Sequence, residues 1–358
     1  MTSSTEKLQS TEQPGQAKLR VQKRELGQTG LRVSVVGFGA SPLGGVFRED
    51  IDETDACAAV YQALHDFGIN FFDTSPYYGS TRSERVLGKA LAQLGERDDY
   101  VLATKVGRYG PNNFDYSKER VRRSVEESME RLGVRRLDLV QCHDVEFAPS
   151  RRLIVEEALP ALCQLKQEGV IGALGVTGYP LAIYRDIIEA STVELDVVLS
   201  YCHGCLCDTS LRDSGVLAYL REQNIGVLNA SPLSMGLLTP DGPPAWHPAP
   251  PELKACCRTA AAWLASQQVN AGISTDLAEV ALQFAVQRFA QDDVASTLVG
   301  IDGTITLRKN MQALAKPLDD MLLKGVQEIL KPVRNVGWES GRPRSEWLEA
   351  APGVRESA

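Results

Sequence analysis

Asn70-Phe71-Phe72-Asp73-Thr74-Ser75-Pro76-Tyr77-Tyr78-Gly79 is a stretch in which an apolar run stops on a carboxylate and turns into a loop carrying two tyrosines. Asn70, Phe71 and Phe72 read as the end of a buried strand, which places Asp73 at its carboxyl end and lets Pro76 turn the chain ahead of Tyr78. Two further apolar runs close on a reactive side chain in the same way, YVLATK on Lys105 and LDLVQCH on His143. Outward from these three, the pattern continues along the chain. Strand candidates fall at 35 to 39, 69 to 73, 100 to 105, 137 to 143, 171 to 177, 196 to 203, 225 to 233 and 294 to 301. Segments of helical period lie between them, the longest gap being an insertion after the seventh strand that precedes TDLAEVALQFAVQRFA.

Gly68, Gly133 and Gly169 stand where helices would end in a left-handed cap, and Asp52 and Ser117 where helices would begin. KRELGQTGLRVS, residues 23 to 34, reads as a hairpin around Gln28, Thr29 and Gly30. Eight strands alternating with helices predict an α/β fold in which each crossover returns to the same sheet edge: a closed parallel (β/α)8 TIM barrel behind an N-terminal hairpin. The rival is an open doubly wound sheet. It needs three glycines after its first strand, and GFGASP offers Gly37 and Gly39 but has Pro42 at the third place. One barrel domain is expected over 21–335, with a disordered polar tail at 1–20 and a C-terminal tail at 336–358.

The chain has 358 residues, 43% of them hydrophobic and 23% charged, with a net charge of -8. That balance argues against nucleic acid as a partner, because phosphate binding needs a surplus of Lys and Arg. No apolar run is long enough to span a membrane, and the first twenty residues lack an apolar signal core, so a cytoplasmic protein is expected. The eight cysteines have no framework spacing and fit a reducing compartment. Cys202, His203, Cys205 and Cys207 invite a zinc reading, but the second pair would have to be the adjacent Cys256 and Cys257, a poor chelator, so no metal is expected. No heptad seam defines an oligomer.

In a barrel, Asp73, Lys105 and His143 all fall on the face where active sites are built. The plain alternative is a structural ion pair with a histidine beside it. A phenol next to an ammonium has its ionised form favoured by roughly 4 kcal/mol at about 4 Å and an effective dielectric of about 20, before desolvation opposes it. Tyr78 is therefore expected to exchange a proton near neutral pH, with Asp73 holding Lys105 and His143 bonding a substrate oxygen. This suits carbonyl reduction or alcohol oxidation but supplies no hydride, so the chemistry implies a nicotinamide cofactor.

DTSPYYG, with Lys105 and His143 at the next two strand ends and SPLSMGLLT after the seventh strand, resembles the aldo-keto reductase family over roughly Lys23 to Leu314. The resemblance implies Asp73, Tyr78, Lys105 and His143 as a catalytic tetrad. LDLVQCHDVEF, LSYCHG, NASPLSMGLLT and GPPAWHPAPPELK are similar to the plant and green-algal branch that oxidises L-galactose at its anomeric carbon to the galactonolactone used for ascorbate synthesis. It implies a sugar substrate, Tyr78 as base, His143 orienting the sugar hydroxyl and hydride transfer to nicotinamide. Trp246 and His203 are candidates to line the sugar pocket, with a packed lid residue and a core strand-end residue as the plain alternatives. Rival readings are a dehydrogenase of L-fucose or D-arabinose, and a non-enzymatic nucleotide-binding subunit like those of potassium channels.

Cofactor contacts are expected from Thr177 and from Ser231, Pro232, Leu233, Met235, Gly236 and Leu237, whose backbone amides would wrap a pyrophosphate. Three places depart from the family: Gly178 stands where an Asn commonly holds the carboxamide, the sixth strand lacks its usual Gln, and Ala230 replaces a stacking aromatic. Members that prefer NADP usually clamp its 2'-phosphate with a Lys and a Ser after the eighth strand and an Arg four residues before an Asn. Counted back from Asn310, those places hold Gly300, Ile301 and Thr306, while Asp302 would repel a phosphate. The cofactor is accordingly expected to be NAD, with Arg308 and Lys309 as the nearest cations in sequence.

Overall fold

Alternation along each strand decides which side chains enter the barrel. Phe71, Val101, Ala103, Leu139, Ala173, Val197, Leu199, Leu228 and Leu298 form one buried cluster inside it, while Phe72, Leu102, Val140, Leu174, Val176, Val198, Val227 and Val299 pack outward under the helices. Strands buried on both faces are mostly apolar, which is why they read as near-continuous runs. A computed structural model of the chain describes residues 20–94, 97–271, 275–291 and 293–349. The tail expected at 1–20 lies outside these but for Arg20.

Two short antiparallel strands, β1 (Lys23–Glu25) and β2 (Arg32–Ser34), form the expected hairpin. The barrel strands are β3 (Val36–Gly39), β4 (Phe71–Asp73), β5 (Val101–Val106), β6 (Leu137–Cys142), β7 (Ile171–Gly178), β8 (Val197–Tyr201), β9 (Gly226–Ala230) and β10 (Ser296–Gly300), all parallel and closed by β10 against β3. Leu26 and Val33 of the hairpin join the interior cluster and plug the barrel at the amino ends of its strands. Asn70 ties this plug to β4, accepting from the Ser34 amide at 2.8 Å and donating to the Arg32 carbonyl at 2.9 Å.

The crossover helices are α1 (Glu53–His65), α2 (Arg82–Leu91), α3 (Lys118–Leu132), α4 (Arg151–Leu153), α5 (Leu159–Gln167), α6 (Ala182–Ala190), α7 (Ser210–Asp213), α8 (Val216–Glu222), α9 (Pro251–Ala271) and α10 (Leu277–Gln283), followed by α11 (Thr304–Leu314), α12 (Asp320–Leu330) and α13 (Arg344–Glu349). Asp52 caps α1 by accepting from the amides of Thr54 and Asp55, and Gly133 ends α3 at φ +70°. Ser117 sits at the start of α3 but its hydroxyl makes no capping bond. The chain between α4 and α5 widens into a π turn, Ile154–Ala158, just before Pro160, whose missing N–H and ring disfavour a regular turn. The insertion after β9 is not merely loop: it contains α9, 21 residues long.

The fold continues past residue 335. Trp347 is buried and donates from Nε1 to the Val145 carbonyl at 3.0 Å, Arg344 grips Asp186 through two bonds of 2.7 and 2.6 Å, and Trp338 stacks on Tyr179 at 4.7 Å. Up to Glu349, the segment expected as a tail is thus a strap laid over the loops that follow β6 and β7. No helix among the described residues is long and apolar enough to cross a membrane.

Candidate active site

The alternation that turns Phe71 inward also turns Asp73 inward at the end of β4, and on β5 the series Val101, Ala103, Lys105 does the same. Both charges end up almost wholly buried. Lys105 Nζ donates to Asp73 Oδ1 and, at 2.9 Å, to the Thr74 carbonyl, and lies 4.9 Å from the centre of the Tyr78 ring. Burial works against the ammonium, but Asp73 and Tyr78 beside it push the Lys105 pKa above its ordinary value.

Tyr78 is carried by the loop after β4. Ser83 braces that loop, bonding Thr74 Oγ1 at 2.8 Å and donating to the Ala40 carbonyl at 2.7 Å. A Cβ on Gly79 would overlap the Gly44 carbonyl, so the approach of the β3 and β4 loops requires glycine there. Contrary to the expectation of a phenol tuned toward neutrality, the Tyr78 pKa is pushed up to about 12. Burial outweighs the lowering by Lys105, and Asp73 and Asp144 add to it.

His143 follows β6 and meets Tyr78 edge to face, ring centres 5.6 Å apart. Ser75 Oγ accepts the Tyr77 amide at 3.1 Å and faces His143 Nδ1 at 3.0 Å, and with Asp144 Oδ2 3.5 Å from Nε2 the surroundings suit the tautomer in which the hydroxyl donates to Nδ1 and the ring proton is on Nε2. Burial lowers the His143 pKa to about 3, which keeps the ring neutral at physiological pH. The four residues of the expected tetrad therefore meet at the carboxyl ends of β4, β5 and β6.

Sequence reasoning missed two neighbours of His143. Asp144 stands at φ +48°, a conformation few non-glycine residues adopt, with its Oδ2 at 3.5 Å from His143 Nε2. Arg108, just beyond β5, bonds the same Oδ2 and donates to Tyr77 Oη at 3.0 Å. The available signal was position alone: an acid directly after His143 and a cation three residues after Lys105.

The remaining candidates are spread around this centre. Thr177 faces inward on β7, but its Oγ1 accepts the Asp144 amide at 3.0 Å, so it supports the mouth from within. His203 is buried with both nitrogens engaged, Nδ1 with Ser210 Oγ at 2.8 Å and Asp208 Oδ2 at 3.2 Å, and Nε2 with the Tyr179 carbonyl at 2.8 Å. This leaves it no free donor for a sugar. Trp246 is 51% exposed at the rim and packs on Phe47 at 6.0 Å. His247, next to it in the insertion, is buried and staples the insertion to the Ser234 carbonyl at 2.9 Å.

Ser231, Ser234, Met235 and Gly236 all have positive φ, which curls the loop after β9. Pro232 and Leu233 lie inside that curl. The amides of Gly236 and Leu237, expected to wrap a pyrophosphate, instead close turns within the loop onto Leu233 and Ser234. Beyond β10, Gly300 packs beside Pro42, Ile301 is buried with its amide on the Gly39 carbonyl, and Asn310 is half-buried on α11. Thr306 Oγ1 donates to Asp302 Oδ1, a carboxylate whose other oxygen lies 3.5 Å from Arg48. Arg308 bonds Gln62 and Lys309 bonds Asp276, while Arg48, from the β3 loop, reaches this place from elsewhere in the chain. A half-buried carboxylate with a hydroxyl beside it suits ribose hydroxyls, so this donor set fits a dinucleotide. Cys205 and Cys207 are buried, their sulfurs 3.6 Å apart, and no group of three His, Cys, Asp or Glu side chains among the described residues is arranged to hold a metal.

The model of the Aldo/keto reductase family matches residues 35–331, and the chain belongs to that family. It is 46% identical over 328 residues to an L-galactose dehydrogenase of Arabidopsis thaliana, covering 90% of this chain and 98% of that one. It is 36% identical to a D-arabinose 1-dehydrogenase of Saccharomyces cerevisiae over 78% of this chain and 86% of that one. Among solved structures, the holo form of an aldo-keto reductase from Bacillus halodurans superposes with a TM-score of 0.68 at 27% identity, over 90% of this chain and all (100%) of that one. The chain is an oxidoreductase acting on a CH–OH group, of a family that uses nicotinamide cofactors.

Proposed function

We propose that this protein oxidises L-galactose at its anomeric carbon to L-galactono-1,4-lactone with NAD, in the cytoplasm, as a step toward ascorbate. The observation that carries the reading is the buried chain Asp73, Lys105, Tyr78 with the His143 ring beside it. A bound nicotinamide would supply the hydride acceptor that these side chains lack. His143 donates from Nε2 to the oxygen on C1 and fixes it near Tyr78. Tyr78 Oη takes the hydroxyl proton, and Lys105 stabilises the phenolate that must form first. Asp73 holds Lys105 in place and charged. Ser231, Pro232, Leu233 and Met235 line the dinucleotide's course, Thr177 supports the mouth beneath Asp144, and Asp302 with Thr306 receives the ribose hydroxyls.

The 46% identity to the Arabidopsis enzyme supports L-galactose, and the 36% identity to the yeast enzyme makes D-arabinose the second reading. Initial rates for L-galactose, L-fucose and D-arabinose with NAD and with NADP separate them. The highest kcat/KM is expected for L-galactose with NAD. A higher value for D-arabinose would move the substrate to that of the yeast relative, and no turnover of any aldose would point to a non-enzymatic nucleotide-binding role.

A further inference from the structure

His143 is surrounded by charged and titratable groups from three sides. Tyr77 and Tyr78 face it from the loop after β4, Lys105 and Arg108 from β5 and the turn beyond it, and Asp144 from its own loop. Asp144 is the dangerous neighbour. A bare carboxylate 3.5 Å from Nε2 would capture the proton that the substrate oxygen needs and would favour the imidazolium. The backbone does not let it move away, since φ is +48° and the Asp144 amide is fixed on Thr177 Oγ1 at 3.0 Å.

Arg108 bonds the very oxygen that faces His143. Its guanidinium is itself clamped: one nitrogen donates to Tyr77 Oη at 3.0 Å, and its carbon lies 3.9, 5.3 and 5.0 Å from the ring centres of Tyr77, Phe114 and Phe147. Nε is buried and makes no hydrogen bond among the described residues.

We propose that Arg108 is a positioning residue that neutralises Asp144, and so keeps His143 uncharged with its Nε2 proton free for the substrate oxygen. The inference rests on His143 as the group that meets that oxygen. The lowered His143 pKa agrees with it: burial is the largest cause, Asp144 works against it, and Lys105 and Arg108 add to it.

The test is an NMR titration of the imidazole side chains in the full chain without substrate. The chain has 4 histidines, and loss of one signal in His143→Gln assigns the fourth. In the wild type, His143 should not titrate above about pH 4. Arg108→Leu should raise its midpoint by about one to three pH units. Arg108→Lys, which keeps the charge, and the double variant Arg108→Leu with Asp144→Asn should both return it to the wild-type range. If Arg108→Leu fails to fold, Arg108→Gln carries the same expectation, with an amide in place of the guanidinium. An unchanged midpoint in the neutral variant, or a double variant that titrates like the single, would overturn the proposal. Because no sugar is present, either result leaves the substrate assignment untouched, and a wrong sugar leaves these titrations standing.

Discussion

Two histidines leave barrel strands separated by one, β6 and β8, at the same mouth and meet opposite fates. His143, after β6, spends Nδ1 on Ser75, while Nε2 makes no hydrogen bond among the described residues and has Asp144 Oδ2 at 3.5 Å. His203, after β8, spends Nδ1 on Ser210 and Asp208 and Nε2 on the Tyr179 carbonyl. Both are almost fully buried, so burial does not distinguish them. What makes a buried imidazole chemically available is whether the fold consumes one of its nitrogens or both.

The largest effect should come from the group that makes the His143 side of this contrast reactive. Lys105→Met strands Asp73 without its counter-ion and removes the charge that favours the Tyr78 phenolate. Turnover should fall roughly 10³-fold, and stability by about 3–5 kcal/mol, read from steady-state rates and a denaturant titration. The contrast itself is broken by paired substitutions. His143→Leu should lower kcat roughly 10²-fold by removing one donor from the substrate oxygen, at little cost in stability. His203→Leu should do the reverse: it leaves Asp208 and the Tyr179 carbonyl short of a partner and costs about 1–3 kcal/mol, while kcat per folded molecule stays close to the wild type. Loss of turnover in His203→Leu at full stability would show that the wrong histidine had been assigned to the substrate.

A smaller and graded effect is expected with pH. Tyr78 is pushed up to about 12, so below that value the base form is scarce and grows as protons are withdrawn. The oxidation rate should climb by up to about tenfold per pH unit between about pH 6 and 9, whereas the reverse reduction, which uses the protonated phenol, should not gain over that range. A plateau in the oxidative rate near neutrality would mean that bound cofactor lowers the phenol much further. The smallest effect concerns nucleotide choice. Thr306→Arg combined with Asp302→Ser should narrow the preference for NAD to a few-fold, since a fixed Arg contact to phosphate gains about 1.5–3 kcal/mol where exposed cations gain little. Arg48→Ala in that background should lower NADP use again.

The barrel and the meeting of Asp73, Tyr78, Lys105 and His143 at one mouth were legible because both are written locally. Each buried strand is an apolar run, and Asp73, Lys105 and His143 each end one of them. The tuning of the site was not legible, because it comes from residues that sequence separates. Arg108 lies 36 positions from Asp144, and Arg48 meets Asp302 from the opposite end of the chain. The direction of the Tyr78 shift depended on burial, a quantity no motif states, and burial won over the adjacent ammonium. The strap beyond residue 335 did leave a trace: Trp338 and Trp347 stand in an otherwise polar segment, and large aromatics in such a place are anchors more often than ornaments of a tail.

Tyr78→Phe tests the central claim most directly, because it removes one oxygen and leaves the ring, its packing and the Asp73 and Lys105 pair in place. Purified variant and wild type would be compared for NAD binding by fluorescence titration and for L-galactose oxidation by absorbance of the reduced nucleotide. The expected result is unchanged nucleotide affinity with turnover lowered by roughly two or more orders of magnitude. A folded variant that binds NAD and keeps turning over at the wild-type rate would contradict the assignment of proton transfer to Tyr78.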